Sequence, residues 1–257
     1  MSNNYLSFMT DEHLFSCIED LYSKYIEIQQ EMDLNSFYRN KVDPIKFYFD
    51  MKFNDSQTIE DYLKFEIIRQ NDKTINNAIG DFHQNLIGGL PGLINLGVGN
   101  GCDIRNENYT IWAEIKNKHN TMNSSSQEST FQKLAHFADK YPNSTCYLIE
   151  IIAKKSQNIL WKGKFNGTYY SHDRVRRISV DQFYYLVTGI PDAFKQLCLT
   201  LPKATNEFLE HFKKVNNSNS DSNKLINAFR ERESQYDTDI LNIIFYDTFN
   251  TYIGFKK

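Results

Sequence analysis

Six of the chain's eleven glycines fall within fourteen residues, in GGLPGLINLGVGNG from Gly88 to Gly101, together with a proline. Regular structure does not run easily through such a stretch, because glycine loses the most backbone entropy on ordering and proline lacks a hydrogen-bond donor. The segment reads as a loop that divides the chain into two parts of different periodicity. Before it, Leu14, Phe15, Ile18, Leu21, Tyr22 and Tyr25 recur at three- and four-residue spacing and mark the core face of a helix from Asp11 to Gln30. Asp43-Pro44 opens a second helix, since proline suits the first turn, and a third spans Ile59 to Leu86 with Asn71-Asp72 as its weakest point.

After the glycines the period shortens. Cys102 to Arg105 and Tyr109 to Lys116, joined by the turn-forming Asn106-Glu107-Asn108, read as an antiparallel hairpin. Ser129 to Lys140 follows as a helix with Phe131, Leu134, Ala135 and Ala138 on one face, then Thr145 to Lys154 (TCYLIEIIAK) as a buried strand. Further strands are expected at Asn158 to Phe165 and Tyr169 to Ile178. A helix opens at Ser179, which has capping-box spacing to Gln182, and closes at Gly189. Asp192 to Val215 is helical again, and NNSNSDSN (Asn216 to Asn223) is a polar connection. The expected class is mixed α/β: a central mixed sheet flanked by helices. A single domain, 1–257, is expected to have a mainly helical region at 1–88, a core at 89–190 and a mainly helical region at 191–257.

The overall balance rules out several kinds of protein. With 29 basic against 32 acidic residues the net charge is −3, so bulk electrostatics does not draw this chain to polyanions and any nucleic-acid surface must be a local patch. No run of apolar residues is long enough for a membrane span, and MSNNYLSFMTDEH lacks a basic region followed by an apolar one, so a cytoplasmic location is expected. Cys17, Cys102, Cys146 and Cys198 have no zinc-ligand spacing and read as reduced thiols; Cys102 is a thiol nucleophile only if some distant histidine joins it. His13, His83, His136 and His211 likewise show no ligand spacing. Gly97 to Gly101 imitates a dinucleotide-binding turn, but it follows a helix and opens a strand, the reverse of the order such a turn requires.

The chemistry concentrates in the hairpin. Alternate residues of a strand face opposite sides, so Ile111, Ala113 and Ile115 share one face, read as the core side, and Trp112, Glu114 and Lys116 the other. Asp103 sits on the preceding strand. Two carboxylates and a lysine suit metal-assisted phosphodiester hydrolysis: Asp103 and Glu114 as oxygen ligands of magnesium, and Lys116 to orient or deprotonate the nucleophile and stabilise the charged transition state. The spacing alone is common in proteins of this size; the glycine loop, the hairpin and the helix and buried strand that follow give it weight. One difficulty is geometric. A turn centred on Glu107 pairs Asp103 with Ile111 and leaves Glu114 three residues further on, roughly 10 Å away, so a bulge or bend is needed to bring the acids together.

At these residues the chain resembles a known family. GCDIRNENYTIWAEIKNKHNTMNSSS, with Asp103, the triplet Glu114-Ile115-Lys116 and the following Asn117 to Asn123, is similar to the PD-(D/E)xK region of type II restriction endonucleases, and more narrowly of those that cut GGNCC or GGWCC sites. IGDFHQNLIGG (Ile79 to Gly89) resembles the helix before that motif, and RISVDQFYYLVTG (Arg177 to Gly189) a segment that recurs late in such enzymes. The resemblance implies a restriction-endonuclease-like core, magnesium on Asp103 and Glu114, and Lys116 as the catalytic lysine. Cys102 stands where the motif's name has proline, a variable position in the superfamily. Many relatives add a helical glutamate upstream, a place open here to Asp81, Gln84 or Glu66.

Asn117, Lys118, His119 and Asn120 follow the catalytic strand, with donors for a phosphate or a base; a solvated polar loop is the plain alternative. His172, Arg174, Arg176 and Arg177 form the densest cationic cluster, and arginine forks can grip guanine, although charge runs are more often solvated edges. Tyr169, Tyr170, Phe183, Tyr184 and Tyr185 read as packing rather than base-stacking residues. A palindromic duplex calls for a two-fold symmetric reader, hence a homodimer on double-stranded DNA, with a cognate methyltransferase in the same system. Two other functions fit the same residues: a structure-selective or repair nuclease, and an inert interaction module in which Glu114 and Lys116 merely pair.

Overall fold

The computed structural model describes residues 3–29, 32–53, 58–97, 99, 101–213 and 224–248. Cα packing divides the chain into two compact units, Met1–Leu21 with Ala78–Asn216, and Tyr22–Asn77 with Asn217–Lys257. The polar connection at 216–223 lies outside the described residues.

The first unit is built on a six-stranded sheet. Its strands are β1 (Leu93–Asn95), β2 (Ile104–Asn106), β3 (Ile111–Lys118), β4 (Thr145–Ile152), β5 (Asn158–Leu160) and β8 (Val175–Ser179), in the order β1-β2-β3-β4-β8-β5. β3, β4 and β8 run parallel, and the remaining pairs are antiparallel, so the sheet is mixed as expected. A separate ribbon pairs β6 (Gly163–Phe165) with β7 (Thr168–Tyr170). Each of the two long strands expected between Asn158 and Ile178 is thus split, and Asn166 and Gly167, both at positive φ, turn the chain between β6 and β7. The glycine segment is not wholly loop: Leu93 to Asn95 pairs with Ile104 to Asn106 and adds an edge strand.

Parallel neighbours need a crossover. Between β3 and β4 it is α5 (Ser124–Lys140), which begins five residues earlier than its apolar stripe suggests because the Asn123 side chain caps the Ser126 N–H at 2.8 Å. Phe131, Leu134 and Ala138 of α5 are buried against Trp112, Cys146, Leu148 and Val175. Trp112 stacks on Phe137 with centroids 4.4 Å apart.

The opposite face packs Ile104, Ala113, Tyr147, Ile149 and Ile178 against four helices. These are the start of α1 (Asp11–Gln29), the end of α4 (Ile59–Gly88), α6 (Val180–Thr188) and α7 (Ala193–Lys213). Both faces are therefore covered, so the core is not confined to the face of Ile111, Ala113 and Ile115: Trp112 and Glu114 on the other face are buried as well. Of the aromatics read as packing, Phe183 and Tyr184 are buried while Tyr169 and Tyr185 are exposed. α6 ends on Gly189 in the left-handed conformation as expected. It begins without the capping box, however: Ser179 Oγ bonds Gln157 N, 2.9 Å, and Gln182 turns to Asp181.

The second unit is helical. It holds α2 (Leu34–Arg39), α3 (Pro44–Phe53), the Ile59–Asn77 portion of α4, α8 (Lys224–Tyr236) and α9 (Ile240–Thr248) around Phe37, Phe47, Leu63, Phe229 and Ile244. α2 has no counterpart in the sequence reading; at six residues it is too short to show a period. α4 is continuous through Asn71-Asp72, where Thr74 and Asn76 return hydrogen bonds to carbonyls one turn back.

Candidate active site

Ile104 pairs with Ala113 and Arg105 with Trp112, which brings Asp103, the residue before β2, against the Ala113–Ile115 stretch of β3. The Asp103 N–H donates to Ala113 O at 3.0 Å, and Asp103 Oδ2 accepts from the Ile115 N–H at 2.7 Å. The three-residue offset expected from a turn centred on Glu107 does not arise, and the chain bends at residues 101–103 where it meets β2. The turn is longer: Tyr109 takes a positive φ of 58° and the Asn106 side-chain oxygen accepts from the N–H groups of Thr110 (2.8 Å) and Ile111 (3.0 Å). One side chain serves two backbone donors that a tight turn would have paired, and the register slides by three residues. Gly101 fixes the base of the hairpin. Its φ is +90° and an added Cβ would come within 2.7 Å of the Phe137 ring, so only glycine lets the chain pass α5 there.

On β3, Glu114 and Lys116 share a face, and Lys116 Nζ lies 3.0 Å from Glu114 Oε1. A residue absent from the sequence reading completes the cluster: Lys133 of α5 places Nζ 2.7 Å from Glu114 Oε2. Burial and the neighbouring Glu114 hold the Asp103 carboxyl above its ordinary range, against the opposing pull of the Ile115 N–H and the two lysines. Cys102, beside it, is pushed by burial up to about 12 and keeps its proton at neutral pH, which removes it as a nucleophile. All four cysteines are free.

Asp103 faces two hollows. One, of about 430 Å³, is lined by Gln84, Gly97, Gly99, Gly101, Cys102, Asp103 and Lys133. The other, near 190 Å³, brings Asp81, His83 and Gln84 of α4 to Asp103, Lys116 and Asn117. Gln84 and Asp81 therefore both reach the site, Gln84 held by Asn95 Oδ1 at 2.7 Å. Glu66 belongs to the second unit, where it pairs with Arg69.

Among the described residues no third His, Cys, Asp or Glu joins the two acids in a metal-ligating group. Two hard carboxylates beside open space, with room for water and phosphate oxygens, suit a hydrated divalent cation and do not suit zinc.

Asn117 and Lys118 do not follow a strand that ends at Lys116, as expected; they are the last residues of β3, because the parallel ladder continues to Lys118 opposite Ile152. His119 and Asn120 form the turn beyond, with His119 N donating to Ile152 O at 3.1 Å. The second cationic group is spread out and tethered. His172 bonds Asp139, Arg174 donates to Tyr141 O and Ser144 O, and Arg176 holds both oxygens of Asn158, at 2.6 and 2.7 Å. Arg177 pairs with Glu150, which is fully buried, and also donates to His119 O at 3.2 Å.

A mixed sheet flanked by helices, with one acid just before a strand and an acid and a lysine two residues apart on the next, defines a restriction-endonuclease-like nuclease. Comparison with known proteins gives the particular family. Residues 6–210 match the family model described as Eco47II restriction endonuclease. The chain is 43% identical to the type II restriction enzyme Sau96I of Staphylococcus aureus over 218 residues, 82% of this chain and 83% of that protein. To the type II restriction enzyme Eco47II of Escherichia coli it is 30% identical over 213 residues, 79% of this chain and 88% of that one. The chain belongs to the Eco47II restriction endonuclease family and is a site-specific DNA endonuclease.

Proposed function

We propose that the protein is a magnesium-dependent type II enzyme that hydrolyses both strands of duplex DNA at a short GGNCC-like palindrome, with Asp103 and Glu114 as the metal ligands and Lys116 as the catalytic lysine. The observation that carries this reading is Asp103 held against β3 by the Ile115 N–H, with Glu114 and Lys116 paired on one face of that strand and Asp103 and Lys116 lining one hollow. Magnesium, when bound, neutralises charge on the scissile phosphate and acidifies a bound water. Lys116 supplies a positive charge where negative charge develops in the transition state, and lines the same hollow as Asp103. Asp81 and Gln84 line the approach from α4 and orient water or phosphate there.

Asn117 is the first of the candidate DNA contacts to face the hollow; Lys118, His119 and Asn120 carry the contact outward along the end of β3. His172, Arg174, Arg176 and Arg177 reach DNA only by exchanging the partners they now hold, which favours the 117–120 group. The catalytic work belongs to the first unit, with the helical second unit an elaboration of one nuclease. No helix among the described residues is long and apolar enough to cross a membrane; the enzyme works in the cytoplasm as a homodimer, alongside a methyltransferase that protects the same site.

The test is incubation of the purified protein with plasmid DNA, with magnesium and with EDTA, followed by sequencing of fragment ends. Discrete magnesium-dependent fragments ending at GGNCC are expected. Discrete ends at another sequence would refute the recognition site, a smear would favour a non-specific nuclease, and intact plasmid would favour a nuclease of other substrates or an inert module.

A further inference from the structure

Lys133 stands outside the motif, nineteen residues along the chain from Glu114, yet it contacts that carboxylate as closely as Lys116 does. The Glu114 side chain is only 8% exposed and each of its oxygens has an ammonium partner. Counting formal charges, Asp103 and Glu114 contribute −2 and Lys116 and Lys133 +2, so the cluster is neutral as it stands. A divalent cation entering it would have to take Glu114 from a lysine and would leave these four groups and the cation with a net charge of +2. Neither is favourable unless another anion accepts the released ammonium. DNA phosphate is such an anion.

Lys133 is placed for the exchange. The helix that carries it is fixed, with Phe131, Leu134 and Ala138 buried and Phe137 stacked on Trp112, while its own side chain is 36% exposed and lines the same hollow as Asp103. A lysine is a point charge on a flexible four-carbon stem, able to change partner without moving the backbone.

We propose that Lys133 is a positioning residue that couples metal loading to DNA binding: it holds Glu114 while the site lacks metal, and passes to a phosphate oxygen when the cation takes the carboxylate. The inference rests on Asp103 and Glu114 being the metal ligands. Metal alone then binds weakly, because it displaces an ion pair and gains no partner for the freed ammonium. Metal and DNA together bind well, and by linkage each raises the other's affinity by the same factor.

The experiment measures Mn2+ binding by electron paramagnetic resonance to the whole protein, alone and with a GGNCC duplex carrying phosphorothioate linkages across the site to retard hydrolysis. In Lys133→Met, Mn2+ binding to the free protein tightens about five- to tenfold, the lower range of typical coupling factors, and the enhancement by duplex shrinks by a similar factor. Lys133→Gln, which keeps a hydrogen bond to Glu114 without the charge, moves in the same direction; Lys133→Arg keeps the enhancement. If the neutral variants lower the melting temperature but leave Mn2+ affinity and its enhancement unchanged, Lys133 only pins α5 to β3 and the proposal is overturned. If Asp103→Ala binds Mn2+ as wild type does, the ligand assignment beneath the proposal is wrong and the proposal goes with it.

Discussion

Two buried glutamates lie on the same face of the sheet and have been solved in different ways. Glu114 on β3 meets two lysines, and Glu150 on β4, which pairs in register with Lys116, meets Arg177. The Glu150 cluster is closed: the acid is fully buried, Gln157 reaches its second oxygen, and the guanidinium also holds the main chain at His119. The Glu114 cluster adjoins Asp103 and opens on a hollow. A guanidinium nitrogen shared between a buried carboxylate and a main-chain carbonyl fixes geometry, whereas an ammonium on a flexible stem is exchangeable. Neighbouring strands thus carry one ion cluster that secures the architecture, including the turn after β3, and one that is free to react.

The sharpest way to break this comparison is to remove the reactive groups. Asp103→Ala or Lys116→Ala should lower single-turnover cleavage about a thousandfold or more while leaving the fold and much of the DNA affinity, because a metal ligand and a catalytic lysine, the roles proposed for them, act mainly on the transition state. Wild-type cleavage by either variant would make the Glu114 cluster as architectural as its neighbour. Next in size is Arg177→Ala, which strands Glu150 without its cation and should cost about 3–5 kcal/mol in urea denaturation, as for other broken buried pairs. A loss of about 1 kcal/mol or less would instead be the behaviour of a hydrated surface pair and would erase the distinction.

The smallest effect concerns pH. An acid whose folded-state pKa is raised, as that of Asp103 is, favours the folded state below its unfolded value and withdraws that support as pH rises through the folded value. At neutral pH the charged carboxylate therefore burdens the metal-free protein. Asp103→Asn should raise its melting temperature by roughly 2–4 °C, the shift about 1 kcal/mol produces in a protein of this size, and the gain should vanish as the pH falls into the acid range. No gain at neutral pH would show that the lysines compensate Asp103 as fully as Arg177 compensates Glu150.

Much of this was legible from residue order. The alternation of Tyr109 to Lys116 and the apolar run of Thr145 to Lys154 mark β3 and β4, and Glu114 and Lys116 share a strand face as that alternation implies. The register was not legible, because it depends on a side chain, Asn106, acting in place of backbone. Lys133 was hidden for another reason: only the return of α5 across the sheet brings it to Glu114, and on the helix itself it looks like any solvated lysine. Arg174, Arg176 and Arg177 look like one cationic patch in sequence and prove to be separate braces, since their partners come from distant segments. The second unit was invisible as a unit because its two segments lie at 22–77 and 217–257. A lone Glu150 inside an apolar strand was the one available sign of a buried ion pair.

The position of Lys133 also sets what would have to travel in a transplant of this site. A graft of 103–118 would carry Asp103, Glu114 and Lys116 and arrive with one uncompensated negative charge on those groups. Continuing the graft through Lys133 restores neutrality, but the helix that carries this lysine keeps its height over the strands through Phe137 against Trp112 and Gly101. The smallest portable cassette therefore begins two residues before the first acid, at Gly101, and ends past the motif, on the far side of Phe137.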